Sequence, residues 1–338
     1  RHGGSNTTET NRVISGTMGV FFTDSKQICA ISDGRAGNAR QADALAAALA
    51  GDAGFRSLTL MPRAPWRWAA PRRWTGAERA FGDGFSEWLD LPPKVVVGCG
   101  RQAALATRLL RERGAKTVQI LDPRLDPAHW DLLVVPEHDP LRGPNVITML
   151  GSLHPVNDVW LAQARGEFAA FATLPSPRIA VLLGGTSAHA RFDRMGFEVL
   201  ASKLEAVLAR EGGSVLLTTS RRTPDELRKV LEHRYRETPS VIWRDAEDGP
   251  NPYAGMLAWA DRIVCSPDSV NMISEACATH APVFVFDPAR VRGRPRTFLD
   301  TLLARGRIRA MDAMLAPFDA EPLRETARIA ALVSERLG

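Results

Sequence analysis

Residues 265–276, which follow an apolar strand-like run, read Cys265-Ser266-Pro267-Asp268-Ser269-Val270-Asn271-Met272-Ile273-Ser274-Glu275-Ala276. The small polar residues predict the start of a helix, where unpaired backbone N–H groups and the helix dipole favour an anion. With Asp268 as N-cap, Asn271 and Glu275 fall on about one face, and Glu275 is able to accept both hydroxyls of a ribose. The stretch therefore predicts a nucleoside diphosphate site. The alternative is a capped helix whose Glu275 is a solvated surface charge.

Length and composition indicate a globular protein of two domains. The chain has 338 residues, of which 45% are hydrophobic and 24% charged, as is usual for globular proteins. No apolar run of about 18 residues occurs, so no membrane-spanning helix is predicted. The net charge of +5 rests mainly on arginine, which suits contacts to phosphate. Residues 1–22 are expected to be a disordered leader or a cloning remnant.

The four cysteines are far apart and show no spacing typical of a metal site or a redox motif. They are Cys29, Cys99, Cys265 and Cys277, and most lie in or beside predicted strands. This placement indicates buried thiols in a reducing compartment. The sequence therefore predicts neither disulfides nor structural zinc.

The order strand, glycine-bearing turn, helix repeats along the chain. The first half predicts strands at Gln27–Ile31, Lys94–Val97, Thr117–Leu121, Asp131–Val135 and Val146–Leu150, and helices at Ala39–Ala50 and Gln102–Glu112. After Pro175-Ser176-Pro177 the predicted strands are Ile179–Leu183, Val215–Thr218, Val241–Trp243, Arg262–Cys265 and Val283–Phe286. The helices there are Arg194–Arg210, Pro224–His233, Pro252–Ala260, Asp268–Thr279 and Pro322–Leu337. Apolar strands of this kind are typical of parallel sheets covered by helices on both faces.

These elements predict an α/β protein with two Rossmann-like, doubly wound domains facing a central cleft. The expected bounds are 23–174 for the N-terminal domain and 178–316 for the C-terminal domain. Residues 317–338 are expected to form a helix that packs on one of them. Ligands of open α/β sheets bind at the carboxyl ends of the strands, so the loops that leave strands are the candidate site.

Three strand exits of the second domain carry small or polar residues, namely Gly184–Ser187, Thr219–Arg222 and Ser266–Ser269. Capping explains any one of these loops, but three in one domain predict a ligand. Gly184 and Gly185 permit a diphosphate to approach the backbone, while Ser187 and Arg221 supply a donor and a charge. The predicted contacts to this ligand are Gly184, Gly185, Ser187, Ser220, Arg221, Asp268, Ser269, Met272 and Glu275.

Two exits of the first domain, Ser32–Asn38 and Gly98–Arg101, contain glycines that allow tight turns. Plain strand-to-helix turns are the alternative interpretation. Neither loop is a GxGxxG fingerprint, and no Gly-Lys-Ser/Thr occurs, which argues against dinucleotide dehydrogenases and P-loop NTPases. The candidate site residues of the first domain are Gly34, Gly37, Asn38, Gly100 and Arg124.

Several motifs, in order along residues 27–310, resemble the mitochondrial-fission Elm-type family. They are Asp33–Asn38, Gln119–Arg124, Val135–Asp139, Arg142–Asn145, Leu183–Gly185, Thr218–Arg222, Asn251–Tyr253 and Asp268–Ala276. Bacterial members are loosely labelled nucleoside-diphosphate-sugar epimerases. That family is similar to GT-B glycosyltransferases of the MurG type. The resemblance implies that the second domain, 178–316, holds a nucleotide sugar, with Glu275 at the ribose and Ser269 and Gly185 near the diphosphate. It implies that the first domain, 23–174, is the acceptor side.

The sequence argues against the epimerase label and against a metal. Short-chain epimerases use a Tyr-x-x-x-Lys pair. The only tyrosines are Tyr235 and Tyr253, and the residues four positions later are Pro239 and Leu257. A glycosyltransferase of the GT-A class would need a metal-binding Asp-x-Asp motif. No such motif occurs, which agrees with metal-independent GT-B chemistry. No metal and no cofactor are predicted.

An inverting transferase needs a general base near the acceptor hydroxyl. The candidates are Asp33, Glu137 and His138, which stand at predicted strand exits of the first domain. Glu137 is placed to orient His138. The alternative is that Glu137–Asp139 forms a loop that only shapes the cleft.

Residues 61–74 interleave three tryptophans with four arginines and contain no acid. This composition suits an anionic membrane surface beside a lipid-linked acceptor, although a loop pinned to the core by its tryptophans is equally consistent. No nucleic-acid partner is expected, because no recognised binding module accompanies the segment. The leading hypothesis is a GT-B-like glycosyltransferase at the cytoplasmic membrane face. The rival is a non-catalytic nucleotide- or partner-binding protein of the fission-factor type.

Overall fold

A computed structural model describes residues 28–338, except the side chain of Glu232. The expected leader at 1–22 and the first residue of the predicted strand Gln27–Ile31 lie outside this range. Contacts divide the chain into two compact units, one formed by the residues up to Met149 with Thr326–Gly338, the other by Leu150–Glu325. Each unit is an α/β domain of its own.

The first unit contains a six-stranded, wholly parallel sheet in the order β2-β1-β3-β4-β5-β6. Its strands are β1 Ile28–Ser32, β2 Arg56–Thr59, β3 Val95–Cys99, β4 Lys116–Ile120, β5 Leu132–Pro136 and β6 Val146–Met149. Its helices are α1 Ala36–Ala50, α2 Trp66–Ala69, α3 Asp83–Asp90 and α4 Arg101–Glu112.

The second unit contains a parallel sheet in the order β12-β11-β10-β7-β8-β9. Its strands are β7 Arg178–Leu183, β8 Ser214–Thr219, β9 Ser240–Trp243, β10 Arg262–Cys265, β11 Val283–Val285 and β12 Ile308–Ala310. Its helices are α5 Asp158–Glu167, α6 Arg194–Glu211, α7 Asp225–Arg234, α8 Tyr253–Trp259, α9 Val270–Cys277 and α10 Arg294–Ala304. The last helix, α11 Glu325–Leu337, returns to the first unit, where Arg328 donates to the carbonyl of Thr148 at 2.8 Å.

Strand β7 shows why the second sheet is covered on both faces. Ile179, Val181 and Leu183 belong to one hydrophobic core, while Ala180 and Leu182 belong to another. Alternate residues of a strand point to opposite faces, so an uninterrupted apolar strand requires a helix layer on each side. The predicted α/β fold with two Rossmann-like domains is confirmed.

The division between the units falls near residue 150, before the proline pair at 175–177. Helix α5 is the reason, because Leu161 and Ala164 share a hydrophobic core with Met256 of α8. Arg165 adds a hydrogen bond to the carbonyl of Ala258 at 2.8 Å. These contacts place the segment before the prolines in the second unit.

Every predicted strand occurs, with ends shifted by at most two residues. Sequence pattern does not predict the edge strands β2 and β12, or the helices α2, α3, α5 and α10. Edge strands are covered less completely, and the residues of β2 are half-buried or exposed. The apolar run that marks a central strand is therefore missing there.

All four cysteines are buried, free thiols, as predicted. Burial raises the pKa of each thiol, because the thiolate loses its hydration. For Cys277 the raised pKa is about 11.

Candidate functional site

Strand order identifies one edge of the second sheet as the candidate site. Strands β8 and β9 extend from one side of β7, and β10, β11 and β12 extend from the other. The loops after β7 and β10 consequently diverge at a topological switch point, the place where open α/β sheets bind ligands. These loops begin with Gly184 and Ser266.

The Asp268 carboxylate connects three loops at this switch point. It accepts the Gly185 N–H at 3.1 Å and the Ser266 hydroxyl at 2.6 Å, and its Oδ2 lies 2.6 Å from Nη2 of Arg222. The side chain of Asp268 is 0% exposed. Asp268 is therefore a residue that positions the loops.

Asp268 is not the N-cap of the following helix, contrary to the sequence interpretation. The N-cap of α9 is Ser269, whose hydroxyl accepts the Met272 N–H at 3.3 Å. The reason is that the Asp268 carboxylate points into the protein toward Gly185 and Arg222. Helix α9 accordingly begins two residues later than predicted.

Both glycines after β7 are required by close packing. The Gly184 N–H donates to Ser266 Oγ at 2.7 Å. A Cβ at Gly184 would overlap the Asp268 carboxylate, and a Cβ at Gly185 would overlap the carbonyl oxygen of Arg222. The absence of side chains thus brings the β7, β8 and β10 exits together.

Helix α9 presents its first turn beside these glycines. The N–H groups of Val270 and Asn271 lie in the first turn, where helical geometry provides no acceptor. Residues 269–272 are half-buried and within reach of a ligand. Glu275 is 5% exposed, so the alternative of a solvated surface charge is wrong.

The remaining predicted contacts of the second unit stabilise turns. Ser187 Oγ accepts the N–H groups of His189 at 3.3 Å and Ala190 at 3.1 Å. Ser220 Oγ accepts the Arg222 N–H at 3.2 Å. Arg221 is exposed.

Sequence reasoning did not select Thr223, Ser266 or Arg222 as site residues. Thr223 Oγ1 donates to the Gly184 carbonyl at 2.6 Å and accepts the Ser220 N–H at 3.0 Å. It thereby fixes the β8 exit against the β7 exit. The available signal was position, because all three residues follow a strand end by at most four residues.

The first sheet has its own switch point, between β1 and β3. There Asp33 Oδ1 accepts the Asn38 side-chain N–H at 3.0 Å and the Arg35 backbone N–H at 3.2 Å. Gly100 has φ +93°, and a Cβ there would lie 2.5 Å from Asn38 Nδ2. Asp33, Asn38 and Gly100 are therefore brought together, and the Asp33 side chain is only 8% exposed.

Other predicted residues of the first unit follow neighbouring strands. Arg124, after β4, is 70% exposed and lies 3.1 Å from the Asp122 carboxylate. Glu137 and His138 directly follow β5, where the Glu137 carbonyl accepts a hydrogen bond from Arg142 at 2.9 Å.

Two predicted glycines precede or begin helix α1. Gly34 has φ +77°, which glycine adopts readily. Gly37 lies within α1, which begins at Ala36, three residues earlier than predicted.

The tryptophans of residues 61–74 have different environments. Trp66 packs against the core of the first unit and donates from Nε1 to the Thr75 carbonyl at 3.1 Å. Trp68 is 66% exposed and Trp74 53% exposed. Trp66 thus fixes the segment to the core, while Trp68 and Trp74 are exposed to solvent. In residues 28–338, no helix combines the length and apolar character needed to cross a membrane.

Comparison with known proteins identifies the family. The model of the family described as "Mitochondrial fission ELM1" matches residues 36–337. The chain belongs to this family. The mitochondrial fission protein ELM1 of Arabidopsis thaliana is 31% identical over 276 residues, which cover 72% of this chain. The match spans only 64% of the length of the plant ELM1 protein.

Solved structures similar to this ELM1-family chain are enzymes of the GT-B fold. The UDP-GlcNAc 2-epimerase of Methanocaldococcus jannaschii, solved with UDP-GlcNAc and UDP, has a TM-score of 0.53 and 12% identity, covering 91% of this chain and 99% of its own. MurG of Acinetobacter baumannii has a TM-score of 0.48 and 12% identity, covering 92% and 91%. The likeness to the epimerase, together with the two parallel sheets described above, shows that the chain has a GT-B-like fold of two Rossmann-like domains.

The epimerase among these structures narrows one sequence argument. The absence of Tyr-x-x-x-Lys argues against the short-chain class of epimerases. That argument does not apply to an epimerase that shares the fold of this ELM1-family chain. The missing Tyr-x-x-x-Lys pair is therefore too narrow a ground for excluding every class of epimerase.

Proposed function

We propose that the second unit binds a nucleoside diphosphate sugar and that the chain transfers the sugar to an acceptor, as a metal-independent GT-B-like glycosyltransferase. The observation that carries the proposal is the arrangement at the switch point, where Gly184 and Gly185 donate to Ser266 and Asp268 of the loop that leads into α9. Because both glycines lack side chains, the exits of β7, β8 and β10 pack together at the start of α9, where we expect the diphosphate to bind. The start of the helix supplies N–H donors and a favourable dipole for its charge.

The polar residues around this turn have distinct roles in the proposal. Ser269 and the α9 N–H groups contact the diphosphate, and exposed Arg221 pairs with its charge. Glu275, on the same helix and 5% exposed, accepts the ribose hydroxyls. Asp268 and Ser187 hold the loops in place.

The transfer itself needs a base for the acceptor. The acceptor hydroxyl gives its proton to the base, and its oxygen bonds to the anomeric carbon of the sugar. The bond from that carbon to the diphosphate oxygen breaks, and the nucleoside diphosphate leaves with the electron pair. Asp33, Glu137 and His138 are the proposed candidates for the base, because each follows a strand of the first sheet at its carboxyl end.

Exposed aromatic residues support peripheral attachment to a membrane. Trp68 and Trp74 belong to an acid-free, arginine-rich segment, and Arg67 lies over the Trp68 ring at 5.9 Å. Tryptophan favours the headgroup region and arginine favours anionic lipids. We place the proposed reaction at the cytoplasmic face of a membrane, with a lipid-linked acceptor.

A second candidate function is non-catalytic. The family description, mitochondrial fission, favours a factor that uses the same site to bind a nucleotide or a protein partner. Binding without turnover distinguishes this candidate from a transferase.

Titration calorimetry with UDP, GDP, CMP and their sugars tests the binding step. UDP is the first probe, because the epimerase of similar fold was solved with it. Absence of binding by every nucleotide contradicts the transferase and a nucleotide-binding factor, and only the binding of a protein partner would remain of the second candidate. If a nucleotide sugar binds, release of the free nucleotide in the presence of lipid-linked acceptors is measured for Asp33→Asn, Glu137→Gln and His138→Asn. A transferase loses turnover in at least one variant while nucleotide affinity is retained.

A further inference from the structure

A cavity of about 360 Å³ lies in the first unit, at the end of its sheet opposite the strand exits. Its wall is formed by the last turns of α4, the first residue of β4 and the turn before β5. The charged and titratable lining residues are Arg108, Arg111, Glu112, Lys116, His129 and Asp131. This cavity is separate from the nucleotide site proposed above, which belongs to the second unit.

We call this space, lined by Arg108, Arg111 and Lys116, the basic cavity. Both of its acids are already paired. Asp131 Oδ2 accepts the Thr117 N–H at 2.8 Å, and its Oδ1 lies 3.2 Å from Nε of Arg111. Glu112 Oε2 lies 2.7 Å from Nη1 of Arg73. Their negative charges are therefore compensated.

Two cations of the basic cavity have no such partner. Within residues 28–338, Arg108 Nε is buried and makes no hydrogen bond, although a buried donor without an acceptor costs free energy. Lys116 is exposed and forms no ion pair with an acid of the described chain. The basic cavity thus carries an excess of positive charge.

The surroundings of His129 show the same excess. Its pKa is lowered by burial, and next by the positive charge of Arg108, while Asp126 opposes these effects. The further charged neighbours are Arg111, which lowers the pKa, and Glu112, which raises it. The imidazole packs edge-on against Trp130, with ring centroids 5.9 Å apart, so the ring is held in place.

The carboxyl end of α4 does not cancel this positive charge. The Leu110 carbonyl accepts the N–H groups of Arg113 and Ala115, and the Arg111 carbonyl accepts the Gly114 N–H. Carbonyl oxygens at the helix end are thereby paired, which weakens their attraction for further cations.

We propose that the basic cavity binds the phosphate group of a small soluble phosphomonoester. Arg108 offers a guanidinium group, which matches phosphate oxygens by paired hydrogen bonds. Arg111, whose Nε pairs with Asp131 and whose Nη1 donates to the Ala128 carbonyl at 2.6 Å, adds its remaining N–H donors, and Lys116 adds a third cation at the entrance. The volume of about 360 Å³ is within the range of small-molecule pockets and exceeds what a bare phosphate ion fills. The site is independent of the proposed transferase activity.

The imidazole of His129 reports phosphate binding in the 338-residue chain. Its resonances are followed by NMR during pH titrations in inorganic phosphate, in glycerol 3-phosphate, and in chloride at equal ionic strength. A bound dianion favours the imidazolium, so both phosphates are expected to raise the pKa of His129 by about 1 relative to chloride. Equal pKa values in phosphate and chloride would overturn the proposal.

Three variants locate the effect. Arg108→Gln and the exposed Lys116→Gln are expected to weaken phosphate binding at least about tenfold, as loss of a charged hydrogen bond does. Lys229→Gln, which removes one exposed charge from the second unit, is the matched control and keeps the wild-type response. If phosphate changed the pKa of His129 equally in all three variants, the change would reflect non-specific screening and contradict the proposal. Since Lys116 is exposed, its variant tests the site even if Arg108→Gln fails to fold.

Discussion

Asp268 and Arg222 form an ion pair of unequal exposure, with Arg222 Nη2 2.6 Å from Asp268 Oδ2, the aspartate side chain 0% exposed and the arginine side chain 46% exposed. The buried partner also accepts the Gly185 N–H. The pair thus joins the exits of three strands, β7, β8 and β10, around the proposed diphosphate site.

Replacement of the buried partner should destabilise the second unit. Asp268→Asn removes a charge that accepts hydrogen bonds from Gly185 and Arg222, and we expect the free energy of unfolding to fall by about 2 kcal/mol. Urea denaturation measures this change. The control is Asp225→Asn, whose side chain is 86% exposed and pairs with Arg228 at 3.2 Å, and its effect should stay below about 0.5 kcal/mol. An equal loss of unfolding free energy in both variants would contradict the stabilising role of the buried Asp268 carboxylate.

A methyl group at Gly185 should disrupt the same junction. A Cβ there would overlap the Arg222 carbonyl oxygen, so Gly185→Ala forces the backbone to move, and we expect a loss of about 2 kcal/mol or more. Gly166→Ala is the matched control, because position 166 lies in α5 with no atom within 4 Å of the added methyl. That change should be neutral or stabilising by up to about 1 kcal/mol. The two melting temperatures decide the matter, and the prediction fails if Gly185→Ala melts as high as Gly166→Ala.

Stability should fall at alkaline pH because the four thiols are buried. Folding raises the pKa of Cys277 to about 11, whereas a thiol of the unfolded chain ionises near 8.5. The folded state therefore retains protons that the unfolded state releases, and stability present below about pH 8.5 is lost as the pH rises toward 11. Each thiol contributes at most about 1.4 kcal/mol per pH unit over this window. Urea unfolding at pH 8, 9 and 10 measures the free energy of unfolding, which should decline less steeply with pH for Cys277→Ala than for the wild type. Identical declines in the two proteins would contradict the account.

Membrane attachment should depend on the two exposed tryptophans. In flotation assays with vesicles rich in phosphatidylglycerol, Trp68→Ser with Trp74→Ser should reduce binding by roughly tenfold, because the apolar area entering the headgroup region is lost. Met195→Ser is the control, since Met195 is 72% exposed but belongs to the second unit. Trp66 is left intact because it packs against the core. Unchanged flotation of the double variant excludes the segment as the anchor.

Much of the fold is predictable because central strands have an unambiguous pattern. Leu132–Pro136 is buried at every position, and such a run has few alternatives to a parallel strand between helices. Strand β2, Arg56–Thr59, is only half-buried or exposed, so its sequence lacks that pattern. Strand prediction therefore fails where an edge strand is covered only in part, as at β2.

The candidate site is predictable as loops but not as individual contacts. Asp268 and Ser269 are both residue types that favour N-caps, and no local feature chooses between them. The choice depends on Gly185 and Arg222, which are distant in sequence and adjacent in space. Thr223 was overlooked for the same reason, because its bond to the Gly184 carbonyl is a tertiary contact.

The most direct test of the proposed nucleotide site is calorimetric titration of the 338-residue chain with UDP. We expect saturable binding to the wild type and an affinity about 10 to 100 times lower for Glu275→Gln, because a hydrogen bond from ribose to a charged acceptor is worth about 1.5–3 kcal/mol. Glu226→Gln, at an exposed acid of α7, should bind UDP as the wild type does. Unaltered affinity in Glu275→Gln, with the fold intact, would contradict the assignment of the ribose to this helix.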